Sequence, residues 1–124
     1  MKGKKPVFVV HEHHSRNLHF DLRLEMDGVL KSWAVPKVPP EDTGTKRLAI
    51  QVDDHDISYA NFKGTIGDGY GKGTVKIWDK GTLNIESRKD DKIVFILIGK
   101  KLKGKYVLVR FKKVDNGWLF FKKD

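Results

Sequence analysis

The sequence predicts an all-β fold, a small antiparallel β-barrel with little helix. Its apolar residues recur at every second position, which is typical of half-buried strands rather than of helices. The apolar stretches are short, and Gly, Asp-Asp or Asp-Asn-Gly turn signals separate them, as in antiparallel sandwiches and barrels. No long amphipathic helical pattern occurs. This argues against coiled coils and against DNA-binding proteins that place a helix in the major groove.

The clearest strand pattern runs from Leu18 to Met26. One face of this strand carries the apolar residues, which are Leu18, Phe20, Leu22, Leu24 and Met26. The other face carries the polar residues, which are His19, Asp21, Arg23 and Glu25. Asp27-Gly28 then predicts a tight hairpin turn into a second strand at Val29–Val35.

Further strands are predicted from the same signals. They are Val7–Val10, Leu48–Val52, Gly73–Trp78, Thr82–Glu86, Ile93–Ile98, Tyr106–Phe111 and Trp118–Phe121. The prolines between Pro36 and Gly44 exclude a central strand there, and a single helical turn is expected near Pro39–Asp42. The glycine-rich run Gly67–Gly73 lacks the ending of a phosphate-binding P-loop and precedes no helix pattern. We interpret it as a tight connection between strands.

The chain length and composition limit its organisation and location. The 124 residues fit one domain, and we expect a basic N-terminal tail at 1–6 followed by a single domain at 7–124. The start lacks the apolar segment of a signal peptide, and no apolar run approaches the ~20 residues of a membrane span. We therefore expect a cytoplasmic protein with no membrane partner. The absence of cysteine excludes disulfides, thiolate zinc sites and cysteine nucleophiles.

The charge balance favours a polyanionic partner. Lys and Arg number 25 against 16 Asp and Glu, which gives a formal net charge of +9. Small domains this basic are typical of nucleic-acid-binding proteins. The alternative is a solvated, lysine-rich surface, as in many proteins from hot habitats.

A histidine cluster indicates a candidate metal site. Four of the five histidines, His11, His13, His14 and His19, lie between positions 11 and 19. On a strand, His19 and Asp21 point the same way with Cα atoms roughly 6.5–7 Å apart, so both can reach one ion. His13 can supply a third ligand from the preceding segment. Two imidazoles and one carboxylate suit Mn²⁺, Fe²⁺, Co²⁺ or Zn²⁺ better than Ca²⁺. We interpret His11 and His14 as surface strand residues.

Three further side chains are candidates for contacts to a phosphate. Arg23 continues the polar face of the strand, where its guanidinium suits phosphate, with a cross-strand ion pair as the alternative. His55 stands among three acidic residues, which should favour its imidazolium. A protonated histidine can hydrogen-bond a phosphate or protonate a leaving oxygen. Tyr59 can donate a phenolic hydrogen bond. The alternatives are a turn residue for His55 and a core-edge residue for Tyr59.

Together these residues match a family pattern. The sequence resembles the 3′-phosphoesterase domain of bacterial DNA ligase D and its stand-alone archaeal versions, in order over nearly the whole chain. The matching segments are His13-x5-His19-x-Asp21-x-Arg23-Leu-Glu, Asp27–Lys37, Lys46–His55, Ile57–Gly64, Tyr70–Gly81, Gly104–Arg110 and the strand containing Trp118. The family usually reads Ile-Pro-x-Gly-x-Tyr-Gly where this chain has the shorter Ile66-Gly-Asp-Gly-Tyr70-Gly.

The resemblance implies a fold and an activity. The fold is a compact β-barrel with a metal and phosphate site on one side, and the activity is Mn²⁺-dependent trimming of 3′ ends during DNA break repair. A phosphodiesterase step removes a 3′-terminal ribonucleoside from a primer. A phosphomonoesterase step then removes the remaining 3′-phosphate and leaves a 3′-hydroxyl. The implied partners are nucleic acid with a 3′-ribonucleotide or 3′-phosphate end, and ligase and polymerase as separate chains.

The resemblance also assigns roles to residues. It implies that the metal ligands are His13, His19 and Asp21, with Co²⁺ or Zn²⁺ able to occupy the site of Mn²⁺. It implies that the phosphate-binding and catalytic side chains are Arg23, Arg47, His55 and Tyr59, and it adds Lys37 as a further basic residue near the site. The alternative function is a non-catalytic basic β-barrel that binds nucleic acid or recruits repair proteins.

Overall fold

The chain folds into nine β-strands in a computed structural model that describes residues 5–67 and 72–124. The strands are β1 Val7–His14, β2 Leu18–Met26, β3 Val29–Val35, β4 Lys46–His55, β5 Gly64–Ile66, β6 Gly73–Lys89, β7 Lys92–Ile98, β8 Lys103–Arg110 and β9 Gly117–Lys122. One short 3-10 turn, Ile57–Asn61, joins β4 to β5, and the described residues include no α-helix. The prediction of an all-β fold with little helix is confirmed.

Eight of the strands close into an antiparallel barrel. Neighbours follow the order β1-β2-β3-β4-β9-β8-β7-β6, and β6 pairs back onto β1. Because the ring is closed, none of these eight strands is left as an edge of the sheet. The short β5 pairs antiparallel with the first residues of β6.

The predicted alternation of β2 is confirmed over most of its length. Phe20, Leu22, Leu24 and Met26 point into the apolar core of the barrel. Leu18 belongs to the same face of the pattern but is 48% exposed at the start of the strand. The turn after β2 is the predicted Asp27-Gly28 hairpin, and both residues have the positive φ that a type I′ turn requires.

Strand β6 corrects the prediction of two separate strands at Gly73–Trp78 and Thr82–Glu86. It runs through the expected break without a turn, pairing with β1 over its first half and with β7 over its second. Gly81 allows this course, because a Cβ there would overlap the backbone oxygen of Ile98. Asp79, which falls between the two predicted strands, is a buried residue of β6.

The prediction of a helical turn at Pro39–Asp42 is wrong. Val38 and Pro39 each precede a proline, a position at which the helical backbone conformation is disfavoured. The segment is irregular, and the carbonyl of Pro40 accepts a hydrogen bond from the Tyr106 hydroxyl at 2.9 Å. The segment is therefore held by the barrel side chains rather than by its own backbone.

The 3-10 turn forms a second layer over the outer wall of β1, β2 and β3. Ala60 of this turn packs with Val9 of β1 and Leu30 of β3 in a small apolar cluster outside the main core. Val9 and Leu30 are fully buried although they point away from the barrel interior. Polar side chains on the same outer faces are consequently buried as well, and the candidate site is built from them.

Two predicted features lie partly outside the described residues. The glycine-rich connection includes residues 68–71, and the basic tail includes residues 1–4. On either side of the connection, Ile66 of β5 is paired with Gly73 of β6. A search of the described residues finds no helix with the length and apolar character needed to cross a membrane.

Asp79 supplies a first testable prediction, because its carboxylate holds the connection between β7 and β8. Its Oδ1 accepts the backbone N–H of Lys100 at 2.9 Å, and its Oδ2 accepts those of Lys101 at 3.1 Å and Leu102 at 2.8 Å. Asp79→Ala leaves these N–H groups without their acceptor, so we expect the free energy of unfolding to fall by about 3 kcal/mol in urea denaturation. The exposed Asp115 is the matched control, and Asp115→Ala should stay within about 0.5 kcal/mol of the unsubstituted protein. Equal effects of the two substitutions would contradict this role for Asp79.

Candidate metal and phosphate site

The register of β1 and β2 gathers the predicted polar residues on the outer wall of the barrel. His13 is paired with His19, and His11 is paired with Asp21. Arg23 follows two residues further along β2, on the same face as His19 and Asp21. Tyr59 of the 3-10 turn contacts His11 and Arg23, and His11, His13, Asp21 and Arg23 are all buried.

The predicted ligand set comes together. One nitrogen of His13, one nitrogen of His19 and one carboxylate oxygen of Asp21 all lie within 4.8 Å of one another. His13 Nδ1 is 3.7 Å from Asp21 Oδ2, and His19 Nε2 is 3.4 Å from Asp21 Oδ1. The other ring nitrogen of His19 donates to the backbone oxygen of Asn17 at 3.1 Å, which turns Nε2 towards the carboxylate. Two imidazoles and a carboxylate at this separation fit a divalent transition metal.

The electrostatics of the cluster keep Asp21 ionised. Burial alone raises the pKa of Asp21, but the hydrogen bond from His19 and the charges of Arg23 and His13 outweigh it and hold the pKa below its usual value. The hydrogen bond to Asp21 raises the pKa of His19, and burial opposes this. The cluster therefore presents a carboxylate, the form that binds a cation.

Arg23 is the centre of the site and is 4% exposed. Its Nε donates to His11 Nδ1 at 3.0 Å, and its Nη1 donates to Ser32 Oγ at 2.9 Å and to His55 Nδ1 at 3.1 Å. Its Nη2 donates to Asp21 Oδ2 at 3.3 Å. Four strands thus fix one guanidinium. Ser32 was not a candidate in the sequence, because nothing in the pattern of β3 distinguishes it.

His11 corrects a prediction, because it is fully buried rather than a surface strand residue. It accepts from Arg23 through Nδ1, so its proton is on Nε2, which donates to the backbone oxygen of Phe62 at 3.0 Å. Burial, aided by the charge of Arg23, lowers the pKa of His11 to about 4. The neutral ring joins Arg23 to the covering segment. Its two-residue spacing from His13 was the sequence signal that placed it on this face. The other predicted surface histidine, His14, is exposed.

His55 also corrects a prediction. Burial and the Arg23 guanidinium lower the pKa of His55, outweighing the acidic neighbours that were expected to favour the imidazolium. Its Nδ1 lies 3.1 Å from Arg23 Nη1, which can only donate, and 3.3 Å from the backbone oxygen of Asp53, which can only accept. Acceptance from Arg23, the shorter contact, places the proton of the neutral ring on Nε2. Tyr59 covers the same region, with its ring centre 4.6 Å from that of His55 and 5.0 Å from the Arg23 guanidinium carbon. Burial raises the pKa of Tyr59, so its hydroxyl keeps its proton as a donor.

Arg47 and Lys37, the remaining predicted residues, lie together. They line a cavity of about 280 Å³ with Pro36, Lys46 and Leu48. Arg47 Nε donates to the backbone oxygen of Val38 at 2.8 Å. Among the described residues, no hydrogen bond joins Arg47 or Lys37 to the cluster around Arg23. The Arg23 guanidinium, by contrast, contacts the metal-ligand candidate Asp21 directly.

Comparison with known proteins places this site in a family. The family model for the DNA ligase D 3′-phosphoesterase domain matches residues 11–110. The multifunctional non-homologous end joining protein LigD of Mycobacterium bovis is 47% identical over 113 residues, covering 87% of this chain and 15% of that protein. LigD of Mycolicibacterium smegmatis is 44% identical over 129 aligned residues, which cover 94% of this chain and 17% of that protein. LigD of Pseudomonas aeruginosa is 46% identical over 109 residues, which cover 83% of this chain and 13% of that protein. The chain spans about a sixth of the length of these curated relatives. It belongs to the DNA ligase D 3′-phosphoesterase domain family.

The burial of a neutral His11 predicts a specific pH dependence of stability. The pKa of His11 is about 4 in the folded protein, against 6.5 for an ordinary histidine side chain. Above pH 6.5 the ring is therefore neutral in both the folded and the unfolded protein. As the pH falls through this interval the unfolded chain binds a proton that the folded chain does not, and stability is lost. Between about pH 7.5 and about pH 4.5, we expect His11 to lower the free energy of unfolding by about 2–3 kcal/mol. This contribution should be absent in His11→Gln, because glutamine keeps a donor and an acceptor but does not titrate.

The measurement is urea unfolding of metal-free protein in EDTA at the two pH values. His14→Gln is the matched control, because His14 is exposed and should leave the pH dependence unchanged. An unaltered pH dependence in His11→Gln would show that this ring is not held neutral by burial.

Proposed function

We propose that this chain is a metal-dependent phosphoesterase that repairs the 3′ ends of nucleic acids. It first removes a 3′-terminal ribonucleoside and then the 3′-phosphate, leaving a 3′-hydroxyl for DNA break repair. The observation that carries the proposal is the shared carboxylate of Asp21. It lies beside two histidine nitrogens and is also 3.3 Å from a buried arginine, so a cation site adjoins an anion site. Membership of the 3′-phosphoesterase family supports the same chemistry.

The metal in this proposal is Mn²⁺, held by His13, His19 and Asp21, with Co²⁺ or Zn²⁺ as other occupants. When bound, the ion supplies Lewis-acid chemistry, binding a phosphate oxygen and offsetting negative charge that develops there. The protein fixes the ligands. His19 is oriented by Asn17, and Asp21 is held ionised by its basic neighbours.

Arg23 is the proposed phosphate ligand. A guanidinium has five N–H groups, and the described contacts of Arg23 use four of them, on His11, Ser32, His55 and Asp21. By this count one N–H on Nη2 remains for a phosphate oxygen. Because the other contacts fix the plane of the group, this N–H is held in one direction.

His55 and Tyr59 are proposed to serve the leaving oxygen. In the diester step water adds to phosphorus, and the bond to the 5′ oxygen of the terminal ribonucleoside breaks. In the monoester step a second water adds to phosphorus, the bond to the 3′ oxygen of the primer breaks, and inorganic phosphate leaves. Each departing oxygen needs a hydrogen-bond donor, and the neutral Nε2–H of His55 and the hydroxyl of Tyr59 are donors at this position. Ser32 is excluded as the nucleophile, because it is fully buried and its hydroxyl donates to Leu30 O while accepting from Arg23.

Lys37 and Arg47 are proposed to bind a different phosphate of the strand. Their cavity carries three cationic side chains, with Lys46 as the third, and none of the described residues that line it is acidic. Such a cluster suits a phosphate of the nucleic-acid backbone, which positions a strand without reading its bases. The proposed substrate is nucleic acid with a 3′-ribonucleotide or 3′-phosphate end, and the proposed partners are a ligase and a polymerase that use the resulting 3′-hydroxyl.

The net charge of +9 also supports a second candidate, a non-catalytic barrel that binds nucleic acid or recruits repair proteins. Such a protein makes no use of a divalent metal. Metal dependence therefore separates the two candidates.

The proposed function is tested with a labelled primer that ends in one ribonucleotide, incubated with and without Mn²⁺. We expect a 3′-phosphate product followed by a 3′-hydroxyl product, and neither in EDTA. Asp21→Ala removes the carboxylate from the ligand set, so both products should fall by about 100-fold or more. Glu86 is exposed, so Glu86→Gln is the matched control, and this variant should cleave the primer as fast as the unsubstituted protein. Cleavage that survives both EDTA and Asp21→Ala would refute the proposal, and binding without any cleavage would favour the second candidate.

The choice of histidine ligand is tested by comparing neighbours. His13→Ala should raise the Mn²⁺ concentration needed for half-maximal activity by about tenfold or more, because it removes a ligand. His14→Ala should leave that concentration unchanged, since His14 is exposed and contacts Glu12 instead. Equal shifts in the two variants would mean that the third ligand has been placed wrongly.

A further inference from the structure

The hydroxyl of Tyr59, a proposed donor to the leaving oxygen, makes no hydrogen bond to any of the described residues. Its position is therefore set by the ring that carries it. Tyr59 belongs to the five-residue 3-10 turn Ile57–Asn61, and its neighbours Ile57 and Ser58 are exposed. A helical turn this short is only marginally stable alone. The direction of the Tyr59 ring therefore depends on the side chains that contact it.

Phe62, the first residue after the turn, stacks on Tyr59. The two ring centres are 4.9 Å apart, and the ring planes differ by 7°. In a 3-10 turn, which has three residues per turn, side chains three positions apart lie above one another. Phe62 is half-buried and belongs to neither apolar cluster of the barrel, and Tyr59 is its one aromatic neighbour among the described residues. The Phe62 ring therefore contributes to the site rather than to the core.

Both polar backbone groups of Phe62 are held by hydrogen bonds. Its N–H donates to the carbonyl of Tyr59 at 3.0 Å, and its carbonyl accepts the Nε2–H of His11 at 3.0 Å. His11 is fully buried on β1 and also accepts from Arg23. Phe62 is thus anchored to the side chain that contacts the guanidinium. This gives its ring a defined position relative to Arg23.

The residues of the site contact the Tyr59 ring from other directions. His11 meets it edge to face, with ring centres 5.1 Å apart and planes at 71°, and the ring also packs against the small outer apolar cluster. The ring centre of His55 is 4.6 Å away, and the guanidinium carbon of Arg23 is 5.0 Å away. Without the Phe62 ring, Tyr59 can rotate about its Cα–Cβ bond into the space that the stack occupies. A donor misplaced by about 1 Å costs up to about 100-fold in rate.

We propose that Phe62 is a positioning residue, whose ring, anchored through His11, holds Tyr59 over Arg23 and His55 so that the Tyr59 hydroxyl faces the departing oxygen. Phe62 itself touches neither the substrate nor the metal. This inference rests on the proposed function for the identity of the reaction. Because the contact joins two parallel ring faces, position 62 requires an aromatic ring and not merely apolar volume.

The test compares Phe62→Leu, which keeps the apolar character and the backbone link to His11, with Phe62→Tyr, which also keeps the ring. The substrate is the primer that ends in one ribonucleotide, with Mn²⁺. We expect Phe62→Leu to lower kcat by about tenfold while KM stays within about twofold, because the metal ligands and Arg23 are unchanged. Phe62→Tyr should retain the kcat of the unsubstituted protein. Phe111→Leu is the matched control, because Phe111 is also half-buried but follows β8, outside the site.

A double-mutant cycle decides whether Phe62 acts through Tyr59. Tyr59→Phe removes the hydroxyl that is being positioned. Adding Phe62→Leu to that variant should therefore lower kcat by less than about twofold. The proposal is overturned if Phe62→Leu leaves kcat unchanged, or if its full loss of kcat persists in the Tyr59→Phe background.

A second measurement requires no activity. The Tyr59 ring is close enough to His55 to alter the chemical shift of its Hε1 proton, which NMR records in metal-free protein in EDTA. Tyr59→Leu gives the shift without this ring. We expect Phe62→Leu to move the His55 signal towards that value and Phe111→Leu to leave it in place. An unmoved signal in Phe62→Leu overturns the positioning role. If the unsubstituted protein shows no Mn²⁺-dependent cleavage, the proposed function fails, and the His55 signal alone decides whether Phe62 holds Tyr59.

Discussion

The burial of the Arg23 guanidinium is the constraint around which this site is organised. A charge this far from solvent is destabilising unless it is paired and hydrogen-bonded. The required partners come from separate elements, which are Asp21 of β2, His11 of β1, Ser32 of β3 and His55 of β4. The covering turn adds the ring of Tyr59, 5.0 Å from the guanidinium carbon. Strand register, the outer layer and histidine protonation are therefore linked through one side chain.

Asp21 links the buried Arg23 guanidinium to the metal-ligand candidates. Its Oδ2 faces Arg23 and His13, and its Oδ1 faces His19. Arg23 helps to keep the carboxylate ionised, and the carboxylate in turn compensates the buried charge of Arg23. A substitution at either residue therefore changes both the cation site and the anion site. This coupling is why Asp21, rather than either histidine alone, carries the argument for a phosphoesterase.

The sequence predicted the features that depend on neighbouring residues, such as strand faces and turns. It did not predict the burial and charge of side chains that depend on residues far along the chain. The alternation of β2 placed Asp21 and Arg23 on one face, and the Asp27-Gly28 signal placed the hairpin, because both follow from neighbouring residues. Burial of the outer face requires the 3-10 turn, more than thirty positions further along the chain, and so His11 was expected at the surface. The charge of His55 was misjudged for the same reason, since adjacent acids are visible in the sequence but Arg23 is not. Whether His13, His19 and Asp21 bind a metal remains a prediction.

The second cluster of basic side chains gives the proposed substrate a direction along the barrel wall. Lys37 follows the end of β3 and Arg47 lies at the start of β4, whereas Ser32 and His55, which contact Arg23, lie within β3 and at the end of β4. A nucleic-acid strand that extends from its 3′ end carries one phosphate per nucleotide. A phosphate bound at Arg47 would restrict where the terminal phosphate lies over Arg23. Such a second contact would allow this small domain to orient a flexible 3′ end, which a metal and one arginine alone do not do.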